Sequence, residues 1–218
     1  DSGRIEGAII TSATTDPPGA FAALTNSVGT GSTNERPLDA ASVALSSPLI
    51  DTVNIGLNRA GARQAVVVIT DGDDSSVINN ASFAAFLDGL QGDPDLTALS
   101  LIGGPPAAAS TCASVNSSTP VEAAPILSQA VADTGGAHVD LCSINHDQGL
   151  LEIGANAAGY TWSHALQFTP VTGTLTVELD GVPTTAFTYD GTSNTVSFDV
   201  SQVPNVGVEV SVKYEADC

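Results

Sequence analysis

The hydrophobic pattern changes near residue 160. Before that point, short apolar runs alternate with stretches of helical spacing, as where Ala65–Thr70 is followed by the amphipathic segment Asn79–Leu90. Alternating strands and helices are typical of a mostly parallel sheet covered by helices. We therefore predict an α/β domain over residues 1–160 with a Rossmann-like, doubly wound, mostly parallel sheet.

Eight elements are predicted in this first domain. The run Ala65–Thr70 is apolar or β-branched at every position, so we expect a strand buried on both faces. The predicted strands are Arg4–Ser12, Ala65–Thr70, Thr97–Ile102 and Ala137–Cys142, and the predicted helices are Glu35–Ile55, Asn79–Leu90, Val121–Thr134 and Asp147–Ala158.

The remaining residues, 161–218, have the pattern of a small antiparallel module. Short β-rich runs with alternating polar and apolar positions, such as Thr174–Leu179 and Val208–Tyr214, are separated by turn signals. Two of these signals, Asp180-Gly181 and Asp190-Gly191, are typical of hairpin turns. We predict a second domain of sandwich-like β structure.

A cluster of acidic and hydroxyl side chains follows the run Ala65–Thr70 directly. Asp71 ends the predicted strand, and Asp73, Asp74, Ser75 and Ser76 continue the turn. Ligands of open α/β sheets bind outside the carboxyl ends of the strands. Hard oxygen donors suit Mg²⁺ or Ca²⁺ better than zinc or copper. The turn is therefore a candidate metal site, and its alternative interpretation is a solvated acidic turn.

The overall charge narrows the classes of partner. The chain has 24 acidic residues against five Lys and Arg, a net charge of −19. This field repels nucleic acid and anionic membranes and attracts divalent cations and basic partners, although acidity also serves solubility. No apolar run approaches the roughly 20 residues of a membrane span.

The three cysteines are not spaced like a zinc site. Cys112 and Cys142 bracket one loop-helix-strand unit and are candidates for a disulfide, which leaves Cys218 without an evident partner. Such usage favours an oxidising, extracytoplasmic location, with free buried thiols as the alternative. The chain begins at Asp1 without a signal peptide, which indicates a processed or truncated polypeptide.

Three stretches together resemble the von Willebrand factor type A domain family. These are VVVITDG at the end of a predicted strand, VGTGSTNERPLDAASVAL before and within a predicted helix, and the later LSQAVADTGGAHVDL. The C-terminal stretch LTVELDGVPTTAFTYDGTSNTVSFD resembles the β module that follows such domains in some bacterial surface proteins. The resemblance covers nearly the whole chain.

The resemblance implies a metal-ion-dependent adhesion site. Asp71 matches the family's third-loop aspartate, and Thr33 or Ser32, with Thr30 as a weaker candidate, match its second-loop hydroxyl ligand. Asp73 and Asp74 have suitable chemistry but a different spacing. The implied cofactor is Mg²⁺, with Ca²⁺ or Mn²⁺ as alternatives.

The family's Asp-x-Ser-x-Ser loop does not occur in the chain. Because Arg4–Ser12 matches the family's second strand, we expect its first strand and first metal loop to lie upstream of Asp1. Removal of a central strand exposes unpaired edges, so an upstream segment or another copy is expected to complete the sheet.

The resulting functional expectation is binding and not catalysis. We expect an extracellular or cell-surface adhesion module whose metal ion binds an Asp or Glu carboxylate of a protein partner. The alternative is a structural subunit of a surface fibre, with a degenerate metal site and strand exchange between neighbours. No enzyme is expected, because His138, His146 and His164 are scattered without a recognisable nucleophile and base.

Overall fold

The computed structural model describes residues 3–5, 7, 9–27, 34–107, 112, 121–143, 146–159, 163–198 and 208–216. By their internal contacts, the residues form two compact units, Asp1–Ile144 and Asn145–Cys218. The predicted domain boundary lies at residue 160, which assigns the predicted helix Asp147–Ala158 to the first domain. In the structure this segment belongs to the second unit.

The first unit contains a parallel sheet of three strands within the described residues. They are β1 (Gln64–Ile69), β2 (Thr97–Gly103) and β3 (His138–Asp140), in the order β1-β2-β3. The helices are α1 (Pro17–Ser27), α2 (Pro37–Ala44), α3 (Asn80–Gln91) and α4 (Pro125–Asp133), with a 3₁₀ turn at Pro94–Leu96. This arrangement confirms a mixed α/β class with parallel pairing.

The core of this unit lies between β1 and β2 and the helices α2, α3 and α4. Phe83 and Leu87 of α3 are fully buried because they recur at helical spacing on one face. They pack in one cluster with Leu99 and Leu101 of β2, which lie two residues apart and therefore share a face of the sheet. Leu38 brings α2 into the same cluster.

The prediction that β1 is buried on both faces is wrong. Val68 faces the core, but the side chains of Val67 and Ile69 are 41% and 59% exposed. In the described part of the chain, β1 is the edge strand and pairs only with β2. A continuous apolar run therefore does not establish that both faces are covered.

Two predicted elements of the N-terminal region also differ. The described residues of Arg4–Ser12 lie outside every strand, so the predicted strand is wrong. The predicted helix Glu35–Ile55 is shortened to α2, and turns follow it. Pro48 explains the break, because proline lacks an N–H and disfavours helical backbone in the residue before it.

The described part of the second unit contains α5 (His146–Ala157), followed by six short strands. Two three-stranded antiparallel sheets, β4-β8-β7 and β6-β5-β9, are formed by β4 (Ser163–Ala165), β5 (Thr176–Leu179), β6 (Val182–Thr184), β7 (Phe187–Asp190), β8 (Thr195–Phe198) and β9 (Val210–Lys213). Asp180 and Gly181 both have positive φ and join β5 to β6, which confirms that predicted hairpin. Val177, Val196 and Phe198 form the buried centre of these strands.

A disulfide joins Cys112 to Cys142, in agreement with the predicted pairing. Cys218 lies outside the described residues. Among the helices that the structure describes, none combines the length and apolar character needed to cross a membrane.

Candidate metal centre

Asp71 lies where the sequence predicts it, directly after β1 at the carboxyl end of the parallel sheet. Its side chain is exposed, and its backbone carbonyl accepts a hydrogen bond from the N–H of Glu122 at 2.8 Å. Glu122 precedes α4 in the loop that follows β2. Two loops from neighbouring strands are therefore joined beside Asp71.

A third acidic residue, Glu35, contacts Asp71. The backbone carbonyl of Glu35 accepts a hydrogen bond from the N–H of Ser75 at 2.8 Å, which holds the segment before α2 against the acidic turn. Partial burial raises the pKa of Glu35, and the charges of Asp71 and Glu122 and a hydrogen bond to the Asp71 carboxyl raise it further. Each of these influences opposes a negative charge on Glu35.

Asp73 has a structural partner, because it accepts hydrogen bonds from the first turn of α4. Its two carboxylate oxygens accept the N–H groups of Ile126 and Leu127, each at 3.1 Å. Ala124, the residue in the N-cap position of α4, has no oxygen in its side chain and makes no capping bond. Asp73 therefore satisfies helix N–H groups that would otherwise lack a partner.

Asp74 likewise accepts a hydrogen bond from an N–H group in the first turn of α2. Its carboxylate accepts the N–H of Leu38 at 3.4 Å, the N–H of Ser76 at 3.1 Å and the hydroxyl of Ser76 at 2.6 Å. The Ser76 oxygen in turn accepts the N–H of Asp39 at 2.9 Å. Arg36, in the N-cap position of α2, makes no side-chain capping bond, so the acidic turn caps this helix from outside.

The carboxylate of Asp39, in the first turn of α2, accepts hydrogen bonds from residues that follow the acidic turn. It accepts the N–H groups of Val77 at 2.9 Å and Ile78 at 3.1 Å, and it is paired with Arg36. The hydrogen bond from Val77 is the largest cause of a lowered pKa for Asp39, and the bonds from Ile78 and Arg36 lower it further. The acidic turn and the first turn of α2 are thus joined in both directions.

The remaining predicted metal ligands, Thr33, Ser32 and Thr30, lie outside the described residues. No group of three or more His, Cys, Asp or Glu side chains that could hold a metal ion occurs in the described part of the chain. The structure adds a pair of carboxyl groups, those of Asp71 and Glu35, to the ligands that the sequence predicts. Sequence reasoning missed Glu35 and Glu122 because they are distant from Asp71 along the chain and match no spacing motif.

The raised pKa of Glu35 predicts how stability depends on pH. The folded protein keeps a proton that the unfolded chain releases near the ordinary value of 4.5. Stability is therefore lost as the pH rises from that value through the raised pKa of the folded state, and it stays lower above it. We expect Glu35→Gln to be more stable than the wild type at pH 7 and equal to it at low pH.

This expectation is checked by urea unfolding of both proteins between pH 3.5 and 8 in the presence of EDTA. Glu209→Gln, which changes an exposed glutamate of the second unit, is the control for the chemical substitution. Equal stability of wild type and Glu35→Gln at pH 7 would contradict the assignment.

Both ring nitrogens of His138 lie beside polar groups of the first unit. Its Nε2 lies 3.0 Å from the carbonyl oxygen of Gly104, to which it donates, and its Nδ1 lies 3.4 Å from the hydroxyl oxygen of Ser128. The hydroxyl of Ser128 is 2.7 Å from the carbonyl oxygen of Ala124, to which it donates. These contacts join β3 to α4 and give His138 a structural role.

A second feature near the capping carboxylates is an open cleft of about 530 Å³. Asp74 and Ser76 line it together with Asn80 and the apolar side chains of Val77 and Ile126. Val77 is 84% exposed. The cleft therefore offers apolar contact area beside the acidic turn.

Comparison with protein-family models, with curated proteins and with solved structures finds no match to this chain.

Proposed function

We propose that this chain is a protein-binding module that holds a divalent cation at Asp71 and Glu35 and binds a partner's carboxylate through it. The observation that carries the proposal is the position of the Glu35 carboxyl group beside the acidic turn, where a Cβ placed on Gly72 would lie 3.5 Å from its carboxyl carbon. The backbone of Glu35 is hydrogen-bonded to Ser75 and that of Glu122 to Asp71, so three acidic residues meet at this turn. Neighbouring carboxylates repel one another unless a proton or a cation lies between them. At neutral pH, a divalent cation relieves this repulsion better than a proton does.

The chemistry of the donors fits the proposed cation. Carboxylate and hydroxyl oxygens suit Mg²⁺, Ca²⁺ or Mn²⁺. Asp71 and Glu35 are the proposed carboxylate ligands, because the oxygens of Asp73 and Asp74 already accept N–H groups of α4 and α2. Thr33 and Ser32 remain proposed hydroxyl ligands, since they precede Glu35 by two and three positions.

The proposed class is a von Willebrand factor type A-like domain with a doubly wound sheet, followed by a β module, on a cell surface. The order of β1, acidic turn, α3 and β2 supports this class, as does the disulfide, which suits an oxidising compartment. A bound cation supplies a positive charge with a coordination position for an Asp or Glu of the partner. Val77 and Ile126 offer that partner an apolar contact beside the site.

Substitution of Asp71 by Asn is expected to weaken Mn²⁺ binding at pH 7.5 at least tenfold. The substitution removes one negative charge and one carboxylate ligand while keeping the shape of the side chain. Binding is measured by electron paramagnetic resonance of free Mn²⁺, with Mg²⁺ and Ca²⁺ as competitors. Asp51→Asn is the matched control, because Asp51 is an exposed aspartate in the turns after α2.

Two results would contradict the proposal. Absence of Mn²⁺, Mg²⁺ and Ca²⁺ binding tighter than millimolar in the wild type contradicts it. Equal weakening by Asp71→Asn and Asp51→Asn also contradicts it, because binding then reflects only the overall negative charge.

A second candidate function is a structural subunit of a surface assembly with a degenerate metal site and strand exchange between neighbours. The observation that favours it is the uncovered apolar face of the edge strand β1. This function requires open-ended assembly of copies in excess EDTA, whereas the cation-dependent function requires no such assembly.

A further inference from the structure

The edge strand β1 leaves apolar side chains uncovered. Val67 and Ile69 lie on the face opposite the core-facing Val68 and are 41% and 59% exposed. On its outer side, β1 has no partner strand within the described residues. An uncovered edge with exposed β-branched residues is a template for pairing with another chain.

A groove of about 430 Å³ runs beside this strand. Residues Val66–Ile69 form one side of it, and Gly3–Ile5 and the small side chains of Ala40, Ala41 and Ala44 contribute other parts of its lining. Among the lining residues that the structure describes, Arg4 alone carries a charge. The groove is therefore suited to an apolar occupant.

Further exposed apolar side chains flank Asn54, whose side chain is hydrogen-bonded to the groove-lining residues Gly3 and Ile5. Asn54 is fully buried and fixes the segment before α1, because its Nδ2 donates to the carbonyl of Gly3 at 2.7 Å and its Oδ1 accepts the N–H of Ile5 at 3.0 Å. The neighbours of Asn54 in sequence, Val53 and Ile55, are 44% and 68% exposed. Exposed apolar side chains gathered near one groove are typical of interaction surfaces.

The charge of the chain indicates which occupant the patch accepts. Residues 1–70 contain six acids and four arginines, a net charge of −2, whereas residues 71–218 contain 18 acids and one lysine, a net charge of −17. Two copies that approach through other surfaces bring like charges together. The patch around β1 lies in the nearly neutral region, where self-association meets the least repulsion.

We propose that this patch, defined by β1, Gly3–Ile5 and Val53–Ile55, is the interface of a symmetric dimer of this chain. The same patch on both copies makes a two-fold, self-complementary contact, which is the commonest form of association between identical chains. The edge strands β1 of the two copies pair side by side, so Val67 and Ile69 of one copy contact the same side chains of the other on one face of the joined sheet. This interface is separate from the Asp71 site and does not need its cation.

The dimer is tested by light scattering after size-exclusion chromatography of the whole chain at 5 to 200 µM in EDTA. The wild type is expected at about twice the monomer mass of 21.8 kDa. The double variant Val67→Lys and Ile69→Lys is expected to be a monomer throughout, because it places four positive charges in the interface. Far-ultraviolet circular dichroism checks that the variant is folded, which is expected because both side chains are exposed.

Val182→Lys is the matched control, since Val182 is an even more exposed strand valine, 66% exposed, in β6 of the second unit. It is expected to leave the dimer unchanged. A wild type that is monomeric at 200 µM, a dimer that survives Val67→Lys with Ile69→Lys, or a dimer lost equally in Val182→Lys would each overturn the proposal. Open-ended polymers would also overturn it, because a two-fold interface closes at two copies.

Discussion

Replacing both Cys112 and Cys142 by serine is expected to lower the free energy of unfolding of the first unit by about 3.5 kcal/mol. The two cysteines are 30 positions apart, so the disulfide closes a long loop. Cross-linking such a loop reduces the conformational freedom of the unfolded chain, and the effect grows with the logarithm of its length. Urea unfolding of wild type and double variant without reductant measures the difference.

Cys218→Ser is the control for replacing a cysteine by serine at a position outside the Cys112–Cys142 disulfide. A fall in stability after Cys218→Ser as large as that in the double variant would contradict the assignment to the Cys112–Cys142 pair. An unchanged double variant would contradict it as well. Because the first unit contains the disulfide, its unfolding has to be followed separately, for example by the fluorescence of a probe attached within that unit.

The disulfide also bears on the candidate metal centre. Val121 donates its N–H to the carbonyl of Cys112 at 2.8 Å, and the next residue, Glu122, donates to the carbonyl of Asp71 at 2.8 Å. Two hydrogen bonds and the peptide bond between Val121 and Glu122 thus connect Cys112 to Asp71. The double variant is expected to weaken Mn²⁺ binding as well as stability, because residues 121 and 122 lose a restraint.

The elements that sequence predicts best are those whose pattern is local. The strand β2 and the helix α3 were predicted within two residues, because a short apolar run between polar turns and a helical repeat of Phe83 and Leu87 each determine the structure without distant partners. The hairpin at Asp180-Gly181 is also local, since it depends on backbone with positive φ.

Where pairing partners decide the structure, the same patterns mislead. Arg4–Ser12 has the composition of a strand, but a strand requires a neighbour to accept its hydrogen bonds, and its described residues have none in a sheet. The apolar run of β1 predicted burial on both faces, but coverage depends on which elements lie on each side of the sheet. Neither property can be read from a window of the sequence.

The candidate site shows the same difference between features that a local pattern determines and features that distant contacts determine. The position of Asp71 at the end of a strand follows from local pattern, so the sequence predicts it. The roles of Asp73 and Asp74 depend on where α4 and α2 begin in space, and Glu35 reaches Asp71 only because Ser75 holds the backbone of Glu35. An acidic cluster in a sequence therefore does not distinguish helix caps from metal ligands.

Among the residues of the acidic turn, Asp74 is expected to have the largest effect on the free energy of unfolding, because its role is that of a helix cap. Asp74→Ala is expected to lower the free energy of unfolding of the first unit by about 2–4 kcal/mol. Asp74 is 7% exposed, and its carboxylate accepts two N–H groups and the hydroxyl of Ser76. Without it, the N–H of Leu38 at the start of α2 and the N–H of Ser76 lose their acceptor, and one of the hydrogen bonds that join the acidic turn to this helix is lost.

Chemical denaturation in EDTA separates this structural effect from cation binding. Asp74→Asn retains one acceptor oxygen but turns an NH₂ group toward existing donors, so an intermediate loss is expected. Asp51→Ala, at an exposed aspartate outside the turn, is expected to stay within about 0.5 kcal/mol of the wild type. If Asp74→Ala were equally harmless in EDTA but abolished Mn²⁺ binding, Asp74 would be a metal ligand and its capping role would be wrong.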